Sequence, residues 1–138
     1  MATVRLISDE EAAEDVRAVF DDIRATRGTD YVNNFWRALA VDPGQLASVW
    51  AEVKVVMSGQ GALDPLTREM IYIAVSTANA CGYCAHSHTA SARAKGMTDD
   101  EYRELLAVIA LAGRTNHLAN ALQVPVDAAF DANAALDR

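Results

Sequence analysis

The chain has no cluster of basic residues, no long apolar run and no segment that alternates with strand period. Lys and Arg number 12 against 19 Asp and Glu, giving a net charge of −7, and the basic residues are scattered. Nucleic acid and anionic membrane are therefore not expected as partners. No apolar stretch reaches the roughly 18 residues that a membrane-spanning helix requires. The opening MATVRLISDEEAAED lacks the apolar core of a secretory signal, so a reducing cytoplasm is the expected compartment. Cysteine is scarce too. There are only two, and both lie in one C-x-x-C, which in a reducing compartment is more often catalytic or metal-binding than structural. Low-complexity segments and internal repeats are absent.

What is present is helical periodicity. At 138 residues, 51% hydrophobic and 22% charged, the chain is expected to form one domain over residues 1–138 with a sizeable core. Ser8-Asp9-Glu10-Glu11 has the form of a capping box. Val16, Val19, Phe20 and Ile23 follow at helical spacing as far as about Arg27, where Gly28 ends the helix. A short helix around residues 33–40 carries Phe35, Trp36 and Leu39 as expected core. Asp42-Pro43 and Asp64-Pro65 are matching helix starts, Asp capping and Pro at the first helical position. The first opens a helix lined by Leu46, Val49, Trp50, Val53 and Met57. The second opens one with Leu66, Met70, Ile71, Ile73, Ala74, Val75 and Ala78 all round it, the pattern of a buried helix. A break is expected at Asn79-Ala80-Cys81-Gly82, then a helix to about Lys95 closed by Gly96. Thr98-Asp99-Asp100-Glu101 is a second capping box, leading a long helix to about Leu122 with a candidate interruption at Gly113. Pro125 stops it, and Val126–Leu136 reads as a weakly amphipathic tail. The fold class is all-α with about six helices. The apolar surface exceeds what one such chain can bury, which points to an oligomer.

The chemistry concentrates between Glu69 and His88, a stretch holding both cysteines, two of the three histidines and one acid inside an apolar segment. Cys81 and Cys84, three apart at a helix start, can place their sulfurs on one face and close a disulfide. His88 lies one turn beyond Cys84 on that face, whereas His86 points elsewhere. The thiolate is the nucleophile, and a thiol of ordinary pKa is only a few per cent ionised at neutral pH. Lowering that pKa by ~2 units takes roughly 2.7 kcal/mol, which the positive end of a helix and a neighbouring imidazole can supply. A bare carboxylate near the thiols would work against this. Glu69 helps only by pairing with His88 and orienting its ring, and burial is expected to raise its pKa so that it can relay a proton. On one straight helix Glu69 and Cys81 would stand about 18 Å apart. Either the break folds the two helices back on each other or a neighbouring subunit supplies the acid, and an offset of about 6 Å leaves room for a bridging water.

Glu69-x11-Cys81-x2-Cys84-x3-His88 resembles the signature of the AhpD-like alkylhydroperoxidases, within the carboxymuconolactone decarboxylase superfamily, and the flanks from about residue 50 to 112 fit the family core. The resemblance implies an all-α fold assembled as trimers, dimers or hexamers. It implies a cysteine peroxidase in which Cys84 attacks a small hydroperoxide, Cys81 resolves the sulfenic acid as a disulfide, and Glu69 with His88 relays protons. It implies a lipoyl-bearing or other thiol protein as reductant, with no metal or organic cofactor in the site. Position at the helix end favours Cys81 as the lower-pKa thiol, while the spacing to His88 favours Cys84; the base one turn away decides for Cys84. Gly82-Tyr83 between the cysteines should tune the redox potential.

Four rivals stand beside this reading. A zinc site could draw on Cys81, Cys84, His86 or His88, and His117, but no second pair at finger-like spacing exists. A disulfide oxidoreductase without significant peroxidase activity would use the same residues. A decarboxylase acting on a lactone acid would have no use for the cysteines. The last is a thiol-bearing oligomeric module without enzymatic activity. His117 is expected to be structural, Arg68 a surface or interface charge, Tyr72 a core residue, and Met57, Met70 and Met97 packing contacts.

Overall fold

Six α-helices make up the regular structure of residues 1–130, the part of the chain that this computed structural model describes. They are α1 (Glu14–Arg27), α2 (Asn34–Leu39), α3 (Pro43–Ser58), α4 (Pro65–Ala78), α5 (Gly82–Ala94) and α6 (Asp99–Ala121), followed by a short 3-10 turn, Ala128–Phe130. There is no strand among the described residues, so the class is all-α as expected, and no described helix is long and apolar enough to cross a membrane. Residues 131–136 of the expected tail lie outside the described residues. The chain divides into two compact units, Met1–Pro65 and a second beginning at Leu66.

In the first unit, α1, α2 and α3 enclose a core of Ile7, Val16, Phe20, Ile23, Val32, Trp36, Leu46 and Trp50. The indoles of Trp36 and Trp50 meet edge to face at 5.3 Å, the arrangement that ring quadrupoles favour. Trp50 Nε1 donates to Asp22 at 2.7 Å, which joins α3 to α1. Asp42 caps α3 as expected, accepting from the Gln45 amide at 3.1 Å. Two expectations change here. The Ser8–Glu11 box forms both its hydrogen bonds, but it closes an isolated turn, and α1 starts only at Glu14 behind Ala13, which has no side-chain cap. Phe35 is not core: it is 39% exposed, because a six-residue helix turns only part of its surface inward and Trp36 occupies that side.

The second unit has a small core of Ile73, Ala92 and Met97, against which Leu66, Met70, Tyr102, Leu105 and Ile109 pack. The expectation that α4 is buried on every side does not hold for the chain, since Ile71 and Val75 are about half exposed. Only the side of α4 carrying Glu69, Ile73 and Ser76 is covered. The Thr98–Glu101 box does cap α6, with Thr98 accepting from the Glu101 amide and Glu101 accepting from the Thr98 amide. That helix runs unbroken through Gly113. One interior glycine costs only about 1 kcal/mol, which the flanking turns of leucine and alanine outweigh.

Candidate active site

The site is built on the turn between α4 and α5. The Cys81 amide donates back to the Ser76 carbonyl at 2.9 Å and the Ala80 amide to that of Thr77 at 3.1 Å, the paired bonds of a Schellman closure. Its left-handed position is held by Ala80, at φ 54°, where glycine would be usual. The sharp reversal makes Cys81 the N-cap of α5. Cys81 and Cys84 are joined as a disulfide, their Cα atoms 5.4 Å apart. The Cys84 amide donates to Cys81 Sγ at 3.3 Å, and Ser87 Oγ donates to the Cys84 carbonyl at 3.2 Å. Both sulfurs thus sit in the first turn, at the positive end of the helix.

The same reversal lays α5 alongside α4 and brings the acid to the imidazole. Glu69, in the second turn of α4, is only 4% exposed. Its Oε2 lies 2.6 Å from His88 Nδ1. Its other oxygen, Oε1, accepts from Ser91 Oγ at 2.8 Å and from Lys95 Nζ at 2.9 Å. The contact is direct and lies within one chain, so neither a bridging water nor a neighbouring subunit is required. The offset estimated from helix rise is taken up by side-chain length.

One expectation about Glu69 is overturned. Burial is the largest influence on its carboxyl and pushes its pKa up. Hydrogen bonds from His88, Lys95 and Ser91, together with the charge of Lys95, outweigh that and hold it at about 2. Glu69 is therefore a fixed anion at neutral pH and not a proton carrier. An anionic carboxylate at Nδ1 requires that nitrogen to donate, which leaves Nε2 of neutral His88 as the acceptor. Any proton transfer by this pair thus runs through Nε2 of the imidazole.

Three further residues belong to the cluster. Tyr72, expected in the core, is 37% exposed and stacks on the His88 ring with centroids 3.7 Å apart and planes 19° from parallel. Ser91 and Lys95 complete the shell around Glu69. A sequence signal for both existed: Cys84, His88, Ser91 and Lys95 recur at i, i+4, i+7 and i+11, one continuous stripe along α5. Tyr72 follows Glu69 by three, on the same side of α4.

The remaining histidines stand apart from the cluster. His86 is exposed, and His117 Nδ1 lies 2.6 Å from the Gly113 carbonyl one turn back along α6. No group of three or more His, Cys, Asp or Glu side chains among the described residues is arranged to hold a metal ion.

Comparison with known proteins places this geometry. Residues 45–127 match the carboxymuconolactone decarboxylase family. The crystal structure of the alkylhydroperoxidase AhpD core from Rhodospirillum rubrum superimposes with a TM-score of 0.93 at 66% sequence identity, covering 94% of this chain and 97% of that one. Alkyl hydroperoxide reductase AhpD of Solibacter usitatus is 30% identical over 92 residues, 67% of this chain and 50% of its own length. An uncharacterised protein of the cox locus of Paracoccus denitrificans is 34% identical over 55 residues, 40% of this chain and 50% of its own length. The chain spans about half the length of these two curated relatives.

Proposed function

The chain belongs to the carboxymuconolactone decarboxylase family, and from that membership we propose that it works as a thiol-dependent alkyl hydroperoxide reductase. The observation that carries the reading is the pairing on one helix of a Cys81–Cys84 disulfide with a histidine whose Nδ1 is held by a buried carboxylate. The bonded sulfurs correspond to the oxidised end of a catalytic cycle. The paired thiols favour this reaction over decarboxylation of a lactone acid.

The cycle starts from the dithiol. His88 accepts the Cys84 proton at Nε2, and the positive end of α5 favours the resulting thiolate. That sulfur attacks the terminal oxygen of the hydroperoxide. The O–O bond breaks with its electron pair passing to the alkoxide, which takes the proton from His88 and leaves as the alcohol. Cys84 is then a sulfenic acid. Cys81 attacks its sulfur, the hydroxyl leaves as water with the Cys81 proton, and the disulfide forms. Two electrons from an external dithiol return the pair to its reduced state by thiol–disulfide exchange. A lipoyl-bearing protein fits this role, as does another thiol protein.

The protein acts in a cytoplasm that keeps thiols reduced, and it works as a homo-oligomer (trimer, dimer or hexamer) whose contacts cover the apolar residues left exposed on α4 and α6.

Steady-state consumption of alkyl hydroperoxide with dihydrolipoamide as reductant tests the reading. Cys84→Ser is expected to abolish turnover. Cys81→Ser is expected to react once and stop at the sulfenic acid, detectable by a dimedone adduct. Full turnover by Cys84→Ser would rule the scheme out.

A further inference from the structure

We propose that Lys95 is a positioning residue of the thiol site, acting through Glu69 to set the pH at which the Cys84 thiolate forms. This rests on the thiol-peroxidase reading. A lysine in the last turn of a helix is ordinarily explained by the helix dipole and the free carbonyls there. Lys95 does something more directed. Its Nζ reaches back along α5 to Ser91 Oγ at 2.8 Å and across to Glu69 Oε1 at 2.9 Å. Glu69 is almost wholly buried, while the Lys95 side chain keeps about a third of its surface exposed.

The two carboxylate oxygens thus have separate duties. Oε2 holds the imidazole, and Oε1 is held by the ammonium and the hydroxyl. Among the contacts of this cluster, Glu69 and Tyr72 from α4 touch His88 directly, and Lys95 at the end of α5 reaches it through Glu69. The groups that lower the Glu69 carboxyl are His88, Lys95 and Ser91, all on α5 or at its end. The carboxylate that holds the imidazole is thus itself paired with a cation. With Lys95 present, the carboxylate still fixes Nδ1 as the donor, while the ammonium on its other oxygen offsets part of its negative charge.

Removing Lys95 takes away a positive charge, which raises the proton affinity of the imidazole, the carboxyl and the thiol together. The acid limb of thiolate formation must then move to higher pH, whichever group it reports. At this separation and partial exposure the shift is about one unit.

The test reads the pH profile of Cys84 alkylation by iodoacetamide in the reduced protein, using Cys81→Ser backgrounds, beside peroxide turnover in the two-cysteine chain. Lys95→Met is expected to shift the alkylation profile upward by about one unit, and Lys95→Arg to restore it. Lys95→Gln reads the same shift should Lys95→Met not fold. An unmoved profile in the neutral variants overturns the proposal, as does an equal shift in Lys95→Arg. If the profile shifts but the wild type consumes no hydroperoxide, the peroxidase reading fails and the electrostatic role stands.

Discussion

Glu69 makes the stability of the fold depend on acid in a predictable direction. Its carboxyl is held at about 2 in the folded chain against an ordinary 4.5. A depressed folded value means that the ionised form contributes stability above the unfolded pKa, and that the contribution is lost as pH falls through the folded one. The difference amounts to about 3 kcal/mol, present above about pH 4.5 and gone near pH 2. Glu69→Gln should therefore show a shallower fall in unfolding midpoint between pH 5 and pH 2 than the wild type. A parallel fall in the two would show that the hydrogen bonds to Glu69 add nothing. Glu69, Cys81, Cys84 and His88 were legible in the sequence because their spacing carries the chemistry. The sign of the Glu69 shift was not, because it depends on Ser91 and Lys95, and a lysine near a helix end looks like any other. Tyr72 escaped for a similar reason. At its spacing an aromatic that stacks on a histidine is indistinguishable from one that packs on leucine.

The helices obey their start signals better than their stop signals. Asp42 and the Thr98–Glu101 box cap α3 and α6 as expected. The Ser8–Glu11 box shows that the same reciprocal bonds can close a turn with no helix behind it, and nothing in four residues distinguishes the two outcomes. At the other ends, α1 and α5 close on left-handed glycines, Gly28 and Gly96, whereas α4 and α6 close on Ala80 and Gln123. Asn79 and Gly82 marked the α4–α5 break in the sequence, yet the left-handed residue is Ala80, a type with no preference for that conformation. An alanine there carries a cost of about 1 kcal/mol that glycine would not. Ala80→Gly is therefore expected to raise the unfolding free energy from denaturant titration by that amount, opposite to the effect of glycine inside a helix. A lowered unfolding free energy would mean that the turn gains nothing from relaxation. Thr98→Ala, which removes one half of the α6 box, should cost about 1 kcal/mol by the same assay.

At the scale of the molecule, α6 buries none of its 23 residues, and Val108, Leu111 and Leu118 on it are at least half exposed. The apolar surplus was legible from composition, but its location was not, since the apolar residues of α4 and α6 are spread around each helix and periodicity could not say which side the chain itself would cover. The proposed homo-oligomer predicts a sedimentation mass that is a multiple of 14.8 kDa; a species of that single mass at micromolar concentration would argue against it. The central claim, that a carboxylate-held His88 activates Cys84, is tested most directly by one rate. Pre-reduced protein is mixed with an alkyl hydroperoxide in a stopped-flow instrument, and formation of the Cys81–Cys84 disulfide is timed in wild type and Glu69→Gln. Loss of the carboxylate is expected to slow the reaction by about 10- to 1,000-fold, and equal rates would contradict the claim.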